Sequence, residues 1–125
     1  MKFTREIPAN VHVIRSHTDT ELRIGEKTLR ESCLLSASEL IAAWGPRNVD
    51  ELTPEHFAAA FAWQPEIILL GTGVRQRFPA RSIYAAILAR GIGFEVMDTG
   101  AACRTFNVLV GESRRVTAGL LLGTR

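Results

Sequence analysis

A chain of 125 residues with 46% hydrophobic and 22% charged residues has the make-up of one ordinary globular domain, long enough to bury roughly two thirds of its unfolded surface without staples. The net charge of +2 is too small to argue for nucleic acid, the apolar content argues against long disorder, and no apolar run reaches the roughly 18 residues of a membrane-spanning helix. Two cysteines, Cys33 and Cys103, make neither a disulfide framework nor a metal pattern and fit a reducing compartment.

The N-terminus lacks an apolar signal core, and Glu6 and Asp19 argue against a cleaved transit peptide, so a cytoplasmic protein is expected. Val11, Val13 and then Leu22, Ile24 alternate with polar neighbours, the pattern of half-buried strands. Ile24-Gly25-Glu26-Lys27-Thr28 reads as a hairpin with glycine in the turn. Cys33-Leu34-Leu35 is a short apolar strand, Ser38 to Trp44 is ambiguous between helix and strand, and Gly45-Pro46-Arg47-Asn48 is a loop. Thr53-Pro54-Glu55 starts a helix with a hydroxyl cap, a first-turn proline and an acid near the positive end of the dipole; Phe57 and Phe61 share one of its faces, and Pro65 marks its end. Ile67 to Leu70, short and apolar on both faces, reads as a central parallel strand. A helix follows from about Ala80 to Arg90, with Ile83, Tyr84, Ile87 and Leu88 as its buried stripe and Gly91 as its cap. Ile92 to Met97 is the next strand. Asp98 or Thr99 then caps a helix to about Val110, with Ala102, Cys103, Phe106, Leu109 and Val110 inward and Gly111 closing it. Arg115 to Leu122 is the last strand, so the second half predicts parallel crossovers.

Two apolar strands thus end in Thr/Gly loops that carry arginine. In Gly71-Thr72-Gly73-Val74-Arg75-Gln76-Arg77, glycines let the backbone approach a ligand, the following helix N-terminus attracts anions, and Arg75 and Arg77 offer charge-assisted bonds. The same stretch also reads as a plain strand-to-helix loop with solvated arginines, and it matches neither phosphate-loop nor dinucleotide fingerprints. Asp98, Thr99, Arg104 and Asn107 lie where α/β sheets hold ligands, with Arg104 and Asn107 on one helix face; the plainer reading makes Asp98 a cap and the other two loop ties. Cys103 sits near a helix start and two arginines, which would acidify a thiol, but also on the apolar stripe, where cysteine acts as a small hydrophobe. His12, His17 and His56 show no metal-ligand spacing, and no nucleophile elbow or paired acids stand out. Trp44, Trp63 and Phe78 read as core or interface anchors.

The blocks Pro65-Glu66-Ile67-Ile68-Leu69-Leu70-Gly71-Thr72-Gly73, Phe78-Pro79, Gly91-Ile92-Gly93-Phe94-Glu95-Val96-Met97-Asp98-Thr99 and Ala102-Cys103-Arg104-Thr105-Phe106-Asn107-Val108-Leu109 carry a resemblance. They resemble a widespread domain family of unknown biochemical function whose eukaryotic members include the mitochondrial complex I assembly factor three and the adipogenesis-associated domain protein. The likeness spans about Val11 to Leu122 of a single domain taken as 1–125. It implies an α/β fold in three layers, with a mixed central sheet, helices and an N-terminal β layer, in which Ser38 to Trp44 ends in an extended strand. It brings no catalytic residue, metal or cofactor. The mitochondrial relative is a binding protein in role, and this chain looks like a free-standing bacterial member.

Two readings follow. The leading one is a non-enzymatic binding or assembly module that docks a protein partner through the Gly71 to Arg77 loop. The alternative is a small enzyme or sensor in which Arg75, Arg77 and Arg104 hold an anionic metabolite and Cys103 or Asp98 is the reactive group. Nucleic-acid binding ranks last, and homodimerisation through a strand edge or exposed aromatics is left open. The deciding geometry is whether Arg75, Arg77, Arg104 and Asn107 converge on one concave surface.

Overall fold

In the computed structural model, which describes residues 11–122, the chain first forms a small antiparallel layer of β1 (Ile14–His17), β2 (Leu22–Ile24) and β3 (Lys27–Leu29). Gly25, at φ +59°, takes the first place of the two-residue turn that pairs Ile24 with Lys27, as the sequence predicts. Leu22, Ile24 and Leu29 are buried, with Arg23 exposed between the first two. The first strand begins at Ile14, later than the Val11/Val13 alternation predicts, and its pairing with β2 is irregular between Ile14 and Ser16. Glu6, one of the two acids expected to argue against a transit peptide, lies outside the described residues, as do the ends of the 1–125 domain.

The central sheet contains β4 (Cys33–Ser36), β5 (Leu40–Ile41), β6 (Ile67–Gly71), β7 (Gly93–Met97) and β8 (Val116–Leu120), in the order β5-β4-β8-β6-β7. β6 runs parallel to both of its neighbours, whereas β4 is antiparallel to β8 and to β5. The sheet is mixed because a hairpin-connected β4–β5 pair joins three strands linked by helical crossovers. Ser38 to Trp44 therefore supplies only the two-residue strand β5. The helices are α1 (Ala58–Ala62), entered through a 3-10 turn at Pro54–Phe57, α2 (Arg81–Leu88) and α3 (Thr99–Gly111).

Strand alternation divides the core. Cys33, Leu35, Leu69, Ala118 and Leu120 pack with Ala102, Cys103 and Phe106 of α3 and with Ile14, Leu22 and Ile24 of the small layer. Leu34, Ile68, Leu70 and Leu121 pack on the opposite side with Phe57, Ala60, Ile83 and Ile87. Each such wholly buried large side chain contributes about 1.5–3 kcal/mol, so the two faces stabilise the sheet from both sides. Trp44 lies edge-on to Phe57, and its indole N–H donates to the His56 carbonyl at 2.7 Å.

Further details depart from or narrow the sequence reading. Leu88, placed in the α2 stripe, is 57% exposed, because eight helical residues bury only the Ile83/Ile87 line. Gly111 is the last residue of α3 rather than its terminator, and the left-handed position falls on Ser113 at φ +61°. Of the two roles expected for Phe78, core or interface anchor, its 72% exposure removes the first and leaves the second.

Candidate functional site

Parallel pairing sets Gly71 beside Met97 on one side and beside Leu120 on the other. The tips of β6, β7 and β8 therefore open onto the same rim, the carboxyl end of the parallel strands, where α/β proteins carry their sites.

Two threonines build this rim. The Thr99 hydroxyl donates to the Leu121 carbonyl and accepts from the Gly73 N–H, both at 2.8 Å, while the Thr99 N–H donates to the Gly73 carbonyl at 2.9 Å. It thereby joins the exits of β6 and β8 to the start of α3. Gly71 permits this closeness, since a Cβ there would lie 2.8 Å from Thr99 Cα and 3.1 Å from Ala102 Cβ. Gly73, at φ +102°, makes the turn that follows. The Thr72 hydroxyl accepts from the Arg77 N–H at 3.0 Å and stands 2.6 Å from the Arg75 carbonyl and 3.2 Å from that of Met97. The Gln76 carboxamide donates to the Val96 carbonyl at 2.9 Å, so the loop is also pinned to edge strand β7. Asp98 is the cap of α3, its carboxylate accepting from the Ala101 N–H at 2.8 Å. Gly71, Thr72, Gly73, Asp98 and Thr99 are thus spent on the shape of the rim.

The charged side chains divide. Arg75 and Arg77 line one depression of about 340 Å³ together with Thr72, Val74 and Gln76. Arg77 also reaches both carboxylate oxygens of Asp50, at 3.0 and 3.1 Å. Arg104 lines a smaller cleft of about 160 Å³ with His17, Asp19 and Asp98, whose acids oppose an anion there. Val74 is the residue common to both. Asn107 stands apart, its carboxamide paired with the backbone of Ile14. The four residues do not form one concave anion site, because α3 turns Arg104 and Asn107 toward the N-terminal layer while the loop carries Arg75 and Arg77 toward Asp50.

Cys103 is not an activated thiol. Burial among apolar side chains pushes it from 9.0 up to about 12, overriding the nearby Arg104 guanidinium. Cys33 is pushed up to about 12 for the same reason, with Cys103 adding to it. Among the described residues, no group of three or more His, Cys, Asp or Glu side chains is placed to hold a metal ion.

Sequence reasoning missed Asp50 altogether, and it gave no individual role to Val74 and Gln76 within the Gly71 to Arg77 loop it named. Asp50 lies 27 residues from Arg77, and Gln76 20 from Val96, so no local pattern announces either pairing. The exposure of Val74 (44%) and Phe78 follows from the loop's path over the sheet edge.

Comparison with known proteins agrees with this architecture. The chain is 33% identical over 97 residues to the "13 kDa major membrane protein" of Francisella tularensis, covering 77% of each chain. It is 33% identical over 99 residues to bovine NADH dehydrogenase [ubiquinone] 1 alpha subcomplex assembly factor 3, covering 78% of this chain and 53% of that protein. The chain therefore spans about half the length of the assembly factor. The fold is similar to an NMR structure from Xanthomonas campestris (39% identity, TM-score 0.83, covering 98% of this chain and 93% of that one) and to a crystal structure from Bordetella parapertussis (30% identity, TM-score 0.85, covering 93% and 100%). No helix among the described residues is long and apolar enough to cross a membrane. The profile of the family described as "Protein of unknown function (DUF498/DUF598)" matches residues 14–121, and the chain belongs to that family.

Proposed function

We propose that this protein is a non-enzymatic binding module that docks an acidic surface of a partner protein through the rim loop 72–79, and that it works in the cytoplasm. The carrying observation is the loop itself: Phe78 and Val74 stand exposed beside Arg75 and Arg77 on a backbone tied down at the Gly73 and Arg77 N–H groups and at the Arg75 carbonyl. An exposed aromatic flanked by arginine on a rigid support is the composition of a protein-binding hot spot. The relatives named as assembly factors support a binding role, and an oligomeric respiratory enzyme under assembly is the setting we propose for the partner.

The alternative, an anionic metabolite, is supported by the Arg75 guanidinium, which has no hydrogen-bond or ion-pair partner among the described residues and lines the 340 Å³ depression. Cross-linking with the full chain as bait separates the two. Phe78→Ala and Arg75→Glu each abolish capture of a protein partner if the docking reading is right; capture that survives both substitutions removes the rim as the docking site. A thermal-shift screen of phosphate and carboxylate metabolites then tests the alternative, a saturating ligand at about 100 times its Kd adding about 2.7 kcal/mol.

A further inference from the structure

The outer strand of the central sheet is open along one side. β7 pairs with β6 alone, and no described strand lies beyond it. The Gly93 N–H donates to the Glu66 carbonyl and the Met97 carbonyl accepts from the Thr72 N–H, so in this parallel pair Gly93, Glu95 and Met97 turn their backbone groups to β6. Phe94 and Val96 turn theirs outward. The Gln76 carboxamide takes the Val96 carbonyl at 2.9 Å. The Phe94 N–H, the Phe94 carbonyl and the Val96 N–H have no hydrogen-bond partner among the described residues. His12 and Leu122, near the two ends of the described residues, lie at the other side of the sheet, bonded to Ala37 and Ser32 on either side of β4. An edge with unpaired donors and acceptors is a template for another strand.

An apolar strip lies over the same edge. Ala86 and Ala89 of α2 face Ala58 and Ala62 of α1 across a groove. Tyr84 and Leu88, one turn apart, are on the opposite flank of the buried Ile83/Ile87 line and so lean away from α1. The Tyr84 ring meets Phe94 edge-on, with centroids 5.1 Å apart, which sets that flank above β7. Leu88 stands exposed on it.

We propose that the chain forms a two-fold homodimer in which β7 pairs antiparallel with β7 of a second copy, covered on one face by the Tyr84/Leu88 flanks of the two α2 helices. The open groups are complementary to themselves. About an axis at Phe94, each Phe94 N–H meets the Phe94 carbonyl of the other copy, and each Val96 N–H meets the other Ile92 carbonyl. This register leaves the Val96 carbonyl to Gln76 and sets Glu95 across from Gly93. Moving the axis to Glu95 would place two carboxylates opposite each other and call on the Val96 carbonyl that Gln76 already holds. The same axis brings the exposed Leu88 of one α2 toward the other α2. The inference needs neither Phe78 nor Arg75, so it and the docking reading can each stand without the other.

Sedimentation velocity of the full chain from micromolar to millimolar concentration, with amide exchange followed by NMR at both extremes, tests it. A reversible monomer–dimer equilibrium is expected. Exchange at Phe94 and Val96 slows in proportion to the dimer formed, while Glu95 and Met97, already bonded to β6, keep their rates. Leu88→Arg, at an exposed position, sets like charges across the axis and raises the dimer Kd at least about tenfold. A chain that stays monomeric at millimolar concentration overturns the proposal and leaves the edge to a strand of another protein. A dimer in which Phe94 and Val96 exchange equally fast at both extremes overturns it too, as does one that Leu88→Arg leaves as tight as wild type.

Discussion

The Asn107 carboxamide holds both backbone groups of Ile14: its Oδ1 accepts from the Ile14 N–H at 2.9 Å, and its Nδ2 donates to the Ile14 carbonyl at 2.8 Å. One side chain on α3 thereby continues the ladder of β1 and anchors the N-terminal layer on the helix. Replacing it with alanine leaves two partly buried backbone groups unpaired. Asn107→Ala should cost about 2 kcal/mol, from lost hydrogen bonds and desolvated orphans. Urea unfolding measures it, and a loss below about 0.5 kcal/mol would show that water replaces the amide. Partner capture by the folded variant should be unchanged, since Asn107 is not on the rim.

Thr99 plays the corresponding part for the rim. Thr99→Val removes the acceptor of the Gly73 N–H and the donor to the Leu121 carbonyl together, and should cost about 2–4 kcal/mol, one buried orphan at each end. Gly71→Ala attacks the same joint sterically, because its Cβ meets backbone at Thr99 Cα rather than a movable side chain. Amide exchange should quicken at Gly73 and Leu121 in the first variant and along the start of α3 in the second; protection equal to wild type would contradict the tie.

Trp44 covers Gly119 so closely that a Cβ there would lie 2.6 Å from the indole Cη2. Gly119→Ala should displace the ring and lengthen its bond to the His56 carbonyl, at a cost of about 1–3 kcal/mol. Tryptophan fluorescence in a Trp63→Phe background reads this directly, and an unchanged emission maximum would mean that the ring has room to spare.

The thiols predict a pH dependence. Cys33 and Cys103 are raised from 9.0 to about 12 in the folded chain. Below about pH 9 both states keep their thiol protons, so the thiols add no slope. Above it the unfolded chain releases protons that the folded chain retains up to about pH 12, so stability falls as pH rises, by up to about 1.4 kcal/mol per pH unit for each thiol. The difference in slope between wild type and a Cys33→Ala/Cys103→Ala variant isolates this from other alkaline groups. A thiol reagent at pH 8 should label neither cysteine until the chain unfolds; rapid labelling of native protein would restore Cys103 as a candidate nucleophile.

Much of the fold was legible in the sequence because its signals are local. The doubly apolar Ile68-Leu69-Leu70 run announced a strand buried on both faces, Gly25 announced the turn between β2 and β3, and the Asp98-Thr99 pair announced the start of α3, where Asp98 is the cap. The parallel pairing of β6 and β7 follows from the helix between them, which leaves the second strand no short way to return antiparallel. Residue order by itself thus determined the class of fold, the family and the existence of a Thr/Gly rim. Only the tertiary structure decided what the polar residues do there. Asn107 and Ile14 are 93 positions apart, and Arg77 and Asp50 27. Such partnerships arise when distant segments close on one another, and no spacing within a segment encodes them.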